Sequence, residues 1–283
     1  MTRWTANQLP SMTGTTVVIT GATGGIGLIT ARELARAGAT VVVAARDLAK
    51  ARRAVANMPG NFVIHQLDVA DLDSVRAFAD SYTGPIDILI NNAGVMDIPQ
   101  SRTAQGLDLQ TATNYFGPFL LTNLLLPRLT DRVITVGSQL HRFGRLRLTD
   151  LNWQTTKYNG LSVYESSKLA VVLFSLELQR RLTESGSPVR SMVAHPGIAR
   201  TALVSHSPLG FINRFPLFVQ DAEMGALPLL YAASQDVPGN AYVGPGGLFS
   251  FTGYPKVRKP SRAARNPATA RALWQATTGL THL

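Results

Sequence analysis

The chain has 283 residues, 45% of them apolar and 16% charged, which suits one large α/β domain and excludes a disordered or low-complexity chain. It has no cysteine, so disulfides and thiolate metal sites are excluded. The net charge of +10 is uneven, because Lys256, Arg258, Lys259, Arg262, Arg265 and Arg271 all follow Asp236 and no acid does; this reads as a solvated basic face ahead of a surface for the phosphates of a cofactor or an anionic surface, and without a recognised motif or an interleaved aromatic platform no nucleic acid is expected.

The opening, MTRWTANQLP, is polar, so no signal peptide is expected. No apolar run reaches the roughly 18 residues of a spanning helix. The expectation is a cytoplasmic protein whose membrane contact is at most peripheral. Residues 17–19 then form a short buried-strand pattern, a Gly-rich turn follows, residues 26–37 have helical periodicity up to Gly38, and residues 40–45 are the next strand. The unit repeats. Residues 47–57 are predicted helical and Pro59-Gly60 ends them. Residues 62–67 form a strand, 71–82 a helix capped by Asp71, and 86–90 a strand ending at Asn91. Residues 104–126 form a long helix interrupted by Pro118, 132–136 a strand, 163–182 a strong helix and 189–194 a strand. This alternation implies an α/β fold in which a doubly wound parallel sheet of about seven strands carries helices on both faces. Residues 203–219 and 239–260 are rich in Gly, Pro and aromatics, and both read as loops or lids.

The first strand-to-helix turn reads Thr20-Gly21-Ala22-Thr23-Gly24-Gly25-Ile26-Gly27. Gly21 suits a tight turn, Gly25 removes a Cβ that would block a pyrophosphate, and Gly27 lets the helix pack close to the sheet. The helix N-terminus offers free N–H groups to phosphates. Between a strand and a helix, this turn reads as a dinucleotide site.

Two further features carry chemistry. Tyr164 and Lys168 form Tyr-x-x-x-Lys in a helical run, so their side chains share a face. An adjacent ammonium favours phenolate and would lower the tyrosine pKa, making a usable general acid/base. Ser138 follows the strand at 132–136, at the carboxyl edge of the sheet, where its hydroxyl can bond a substrate oxygen. His65, His141 and His206 lack metal-ligand spacing, so no metal is expected, and His195 reads as structural.

The Gly-x-x-x-Gly-x-Gly turn, Ser138 and the Tyr-x-x-x-Lys pair together resemble the short-chain dehydrogenase/reductase family over nearly the whole chain. That resemblance implies one Rossmann-type domain over 1–283, with a cofactor-binding part at about 14–137 and a catalytic and lid part at about 138–283. It implies an oxidoreductase moving a hydride between a nicotinamide and a carbonyl/alcohol pair. Ser138 would bond the substrate, Tyr164 would transfer the proton, Lys168 would also hold the nicotinamide ribose, and Asn114 would support a proton relay. Asp68, followed by Val69, resembles the residue at the adenine; Asn92, Ala93 and Gly94 resemble the segment lining the adenosine ribose; Pro196, Gly197, Ile198 and Thr201 resemble the segment beside the nicotinamide carboxamide.

The second strand ends Ala44-Ala45-Arg46, with no acid for ribose hydroxyls and an arginine suited to a 2′-phosphate. The expected cofactor is therefore NADP(H) ahead of NAD(H). The 26 residues separating Ser138 from Tyr164, the Tyr242-Val243-Gly244-Pro245-Gly246-Gly247 segment and the tail at Ala272-Leu273-Trp274 resemble a branch containing retinol-dehydrogenase-like and WW-domain-oxidoreductase-like proteins. The branch implies a small to medium apolar carbonyl or alcohol substrate. Phe211, Ile212, Phe215, Leu217 and Phe218 read equally as a lid over such a ligand and as core or an oligomer contact; a homo-oligomer is left open. Two alternatives stay in view: a cofactor-binding protein without turnover, and a peripheral scaffold using the basic tail.

Overall fold

The computed structural model describes residues 3–198 and 220–283. In chain order its elements are β1 (Thr16–Thr20), α1 (Gly25–Arg36), β2 (Thr40–Ala45), α2 (Leu48–Val55), β3 (Asn61–Gln66), α3 (Leu72–Ser81) and β4 (Ile86–Asn91). A helical run follows in three pieces, α4 (Leu109–Thr111), a π-helical segment (Ala112–Phe116) and α5 (Gly117–Leu125). Then come β5 (Leu129–Val136), α6 (Gly160–Glu184), β6 (Arg190–Ala194), α7 (Ala222–Ser234), β7 (Tyr242–Pro245), β8 (Pro255–Arg258) and α8 (Pro267–Thr281).

The strands form one sheet in the order β3-β2-β1-β4-β5-β6-β7-β8. Every pairing is parallel except β7 with β8. The expected sheet of about seven strands thus has eight, and its edge is antiparallel. The strand order reverses direction between β1 and β4, which opens a crevice at their carboxyl ends.

Both faces of the sheet are apolar because helices cover both. The two-residue period of a strand sorts its side chains: Val17 and Ile19 enter one core with α1, α2 and α7, while Val18 enters the other with α3, α5, α6 and α8. The second core is aromatic where α5, α6 and α8 meet, with Trp274 against Phe119 (4.9 Å between centroids) and Phe174 (5.8 Å).

The C-terminal third departs most from the sequence expectation. Residues 239–260, expected as loop or lid, contain β7 and β8, two four-residue strands whose Gly and Pro content masks their pattern. α7 is buried nearly all round and holds Pro228, so it shows no amphipathic stripe. α8 begins at Pro267 behind Asn266, which caps it by accepting from the Ala268 and Thr269 amides. The long helix starts at Leu109, not near residue 104, because Asp108 caps it by accepting from Thr111 N. Pro118 falls at the second residue of α5, directly after the π-helical segment, so the run changes its hydrogen-bond pattern where proline lacks an N–H.

Candidate active site

The Gly-rich turn is shaped by exclusion. Gly21 has φ +68°, and a Cβ on it would lie 2.7 Å from Ala93 Cα. A Cβ on Gly27 would collide with the Asn92 amide and the Gly21 carbonyl. Asn92 Nδ2 donates to the carbonyls of Thr20 (2.9 Å) and Gly21 (3.1 Å). Thr20 Oγ1 accepts from the amides of Asn92 (3.1 Å) and Ala93 (3.0 Å). The ends of β1 and β4 are thereby laced together beneath the turn.

Among the described residues, every α-helix that begins in a loop has a side-chain cap except α1, whose N-cap is Gly24. Its first N–H groups are left as orphan donors at the positive end of the dipole. A Cβ on Gly24 would meet nothing within 4 Å, so that glycine faces open space. Thr23, Gly24, Gly25, Ile26 and Gly27 line a cleft of about 560 Å³ over this helix end. Uncapped donors beside a side-chain-free turn fit a pyrophosphate.

The cleft continues along the sheet edge. Its far end is lined by Ala45, Arg46, Lys50, Asp68 and Val69, and its middle by Asn92, Ala93 and Gly94. Arg46 and Lys50 are exposed there. Asp47 also lines it, but its carboxylate caps α2 by accepting from Lys50 N at 2.8 Å. Lys50 escaped the sequence reading, although its place one turn into α2 is the signal that would have found it.

At its other end the cleft reaches Val136, Gly137, Tyr164, Lys168 and Pro196. Tyr164 and Lys168 are both buried on α6, with Lys168 Nζ 5.7 Å from the tyrosine ring centroid. Lys168 Nζ donates to Val136 O at 2.8 Å, which ties the helix to the end of β5. Ser138 caps the turn after β5, its Oγ accepting from Leu140 N at 3.2 Å. Burial pushes the Tyr164 phenol up to about 12, with a hydrogen bond to the Ser138 side chain pulling the other way. Burial likewise holds the Lys168 ammonium down at about 8. The expected lowering of the phenol is therefore not what this structure has, because desolvation of the buried ring outweighs the Ser138 hydrogen bond.

Asn114 sits buried in the π-helical segment. Its Oδ1 accepts from Val95 N (2.8 Å), and its Nδ2 donates to Val95 O (2.9 Å) and Ser167 Oγ (3.0 Å). A Cβ on Gly94 would lie 3.2 Å from Asn114 Oδ1 and 3.6 Å from Lys168 Nζ, so this glycine keeps the two side chains close. Pro118 has no N–H for the Asn114 carbonyl, its partner four residues back. That carbonyl stays without its α-helical donor. The structure thus brings Asn114, Ser138, Tyr164 and Lys168 together at one end of the dinucleotide cleft.

The short chain dehydrogenase family profile matches residues 15–209. Retinol dehydrogenase 13 of Homo sapiens is 41% identical over 287 residues, covering 92% of this chain and 82% of that protein. The chain belongs to the short-chain dehydrogenase family. Polyprenol dehydrogenase of Mus musculus is 40% identical over 248 residues, covering 80% of this chain and 73% of that protein. The crystal structure of an uncharacterized protein from Mycobacterium Paratuberculosis superposes with a TM-score of 0.89 at 49% identity, covering 99% of this chain and 98% of that one. The protein is an oxidoreductase of the retinol-dehydrogenase-like branch, built for a nicotinamide dinucleotide and a substrate with an alcohol or carbonyl group.

This short-chain dehydrogenase also has site residues that the sequence reading passed over. His141 is wholly buried three residues after Ser138. Its Nε2 accepts from Ser261 N at 3.0 Å, so Nδ1 carries the proton and donates to Ser138 O at 2.7 Å. The Tyr242 hydroxyl lies 3.2 Å from Nδ1 and donates to Ser138 O at 3.4 Å. One imidazole therefore joins the Ser138 backbone to a loop 120 residues onward. Burial lowers its pKa to about 4, with the Ser138 carbonyl opposing and Arg142 adding to the fall. His195 is buried and stacked on Tyr242, 5.0 Å between centroids, as expected of a structural residue. Its Nδ1 accepts from Gly197 N at 3.2 Å, and burial lowers it to about 3, with the nearby His141, Arg142 and Arg258 adding to the fall.

The segment after β6 differs in part from expectation. Pro196 lines the cleft. The Ile198 amide, expected to face a carboxamide, donates to Phe251 O at 2.9 Å, and its carbonyl accepts from Gln220 N at 2.9 Å. Gly197 has φ +69°, and a Cβ there would collide with the Phe251 carbonyl. Gly197 and Ile198 thus hold the β7–β8 connection beside the cleft. Thr201 and the stretch containing Phe211, Ile212, Phe215, Leu217 and Phe218 lie outside the described residues. No helix among the described residues is long and apolar enough to cross a membrane, and no His, Asp or Glu group among them is arranged to hold a metal ion.

Proposed function

We propose that this protein is an NADP(H)-dependent carbonyl reductase acting on small to medium apolar aldehydes or ketones and their alcohols. The observation that carries this reading is the meeting of Ser138, Tyr164 and Lys168 at the end of a cleft whose other end presents Arg46 and Lys50. Gly21, Gly25, Gly27 and the uncapped end of α1 would seat the pyrophosphate, Asp68 and Val69 the adenine, and Arg46 with Lys50 the 2′-phosphate. When bound, the nicotinamide supplies the hydride. Residues 14–137 would serve the cofactor and residues 138–283 the substrate.

With its pKa near 12, Tyr164 is protonated at neutral pH and stands ready as a general acid. It donates its proton to the oxygen that becomes an alkoxide. Ser138 steadies that oxygen by hydrogen bonding as its charge grows. Lys168, held on Val136 O, stabilises the tyrosinate left behind. Asn114 fixes the loop at Val95 and would support the relay that returns a proton to Tyr164. Relatives named for retinol and polyprenol support an apolar substrate.

The test is NADPH consumption with a panel of apolar aldehydes, paired with NADPH fluorescence titration. Tyr164→Phe is expected to keep cofactor affinity and to lose about 10² to 10⁴ in kcat. An unchanged kcat rejects the role, and NADPH binding without turnover of any substrate favours a non-catalytic binder. Arg46→Asp is expected to move preference toward NADH; an unaltered NADPH/NADH ratio removes the phosphate assignment.

A further inference from the structure

A second cavity, of about 730 Å³, opens beside the turn that follows Ser138. Gly137 lines the first cavity and Gln139 the second, and these are the chain neighbours of the serine on either side. Tyr242, whose hydroxyl reaches Ser138 O, forms part of its wall. Gln139 Nε2 donates to Phe249 O at 2.9 Å, which fastens the cavity's loop to the turn carrying the serine.

The lining has two characters. Phe143, Phe249 and Val257 are 65%, 63% and 51% exposed, an unusual density of open apolar surface beside a reacting centre. Arg142, Arg258 and Lys259 line the same cavity. Arg258 Nε donates to Ser250 Oγ at 3.0 Å and Arg142 Nη2 to Lys259 O at 3.2 Å, so both guanidiniums are oriented by neutral groups. None of the three has an ion pair among the described residues. The sequence also restricts which neighbours could supply a counter-charge: no Asp or Glu occurs between Asp131 and Asp150, between Glu184 and Asp221, or after Asp236. The segments that line this cavity are therefore free of carboxylates. Three cations gathered without an acid raise one another's cost and favour an anion among them.

With carbonyl reduction at Tyr164 taken as the reaction, we propose that the substrate is an amphiphile. Its apolar body lies on Phe143 and Phe249, and an anionic group, a carboxylate or phosphate, is held by Arg142, Arg258 and Lys259. A concave space of this size matches a single small molecule better than the flat face of a bilayer.

The experiment compares ω-oxodecanoate with its methyl ester as aldehyde substrates, and measures binding of decanoate to the NADPH-loaded enzyme by calorimetry. The free acid is expected to exceed the ester about tenfold in kcat/KM, the effect of a charge-assisted hydrogen bond. That ratio should shrink at about 0.5 M salt. It should approach one in Lys259→Gln and in Arg142→Gln, and decanoate binding should weaken in both. Equal kcat/KM for acid and ester, or a ratio that survives both substitutions, overturns the proposal. Decanoate binding that depends on these cations supports it even if neither aldehyde is reduced, and that absence of turnover counts against the reductase reading alone. Co-sedimentation with phosphatidylglycerol vesicles, without binding of monomeric decanoate, marks a lipid contact and also overturns it.

Discussion

The two sides of Ser138 are built on opposite principles. The dinucleotide side is made by removing side chains: Gly24 leaves open space and free backbone N–H groups at the end of α1, while Gly21 and Gly27 let Ala93 and Asn92 close against the turn. The substrate side is made by side chains that reach across the chain, with His141 bonded to Ser261 and Ser138, Gln139 to Phe249, and Arg258 to Ser250. A turn made from backbone tolerates no added volume at Gly21 or Gly27. A site made from buried imidazoles and guanidiniums tolerates some repacking but is open to pH and to long-range disturbance.

The sharpest way to break that contrast is to fill the cradle. Gly21→Val puts a β-branched residue at φ +68°, against Ala93. It is expected to cost about 2 kcal/mol in strain and to weaken NADPH binding by about 100-fold or more, the scale of losing several charge-assisted bonds to a phosphate. Chemical denaturation and NADPH fluorescence titration measure the two effects, and a variant that binds NADPH normally would end the claim that exclusion shapes this side.

The substrate side should show a smaller and more selective loss. His141→Ala leaves Ser138 O and Ser261 N without their imidazole partner, at about 1–3 kcal/mol per buried group. We expect kcat to fall about tenfold through misplacement of Ser138, with NADPH affinity kept. His141→Asn, which can still donate to Ser138 O, should recover part of kcat. Equal losses in both variants would mean that the imidazole only fills space.

The gentlest test uses protons. His141 and His195 are held neutral, near 4 and 3, by burial, whereas in the unfolded chain each titrates near about 6.5. Their folded pKa values lie below the unfolded ones, so between pH 6.5 and 4 (about those limits) the unfolded chain binds protons that the fold refuses. Stability is full above that window and should fall toward acid by about 1.4 kcal/mol per pH unit for each histidine. Urea unfolding at several pH values reads this slope, and His141→Asn should reduce it. A slope unchanged by the substitution would show that His141 does not carry the expected share.

These contrasts also mark where reading by sequence succeeds. The cradle was legible because its parts lie within one strand–turn–helix unit, and the roles of Gly21 and Gly27 follow from the absence of a Cβ wherever the chain is so folded. Tyr164 and Lys168 were legible because four residues on a helix is a fixed geometry. Lys50 was within reach of the same reasoning. The sign of the Tyr164 shift was not: it depends on how much of the ring is buried, and that burial is set by packing from elements far away in the chain.

By itself the sequence determined the alternation of strands and helices, the turn that accepts phosphates, the Tyr-x-x-x-Lys face and the lack of carboxylates around the basic C-terminal stretch. All of these are properties of short windows or of composition, where bond geometry and charge leave little choice. Only the tertiary structure decided that residues 242–258 complete the sheet as β7 and β8, that the Ile198 amide bonds Phe251, and that His141 connects Ser138 to Ser261. Those outcomes join segments about a hundred residues apart in some cases, and no local pattern records which distant group will satisfy a buried donor.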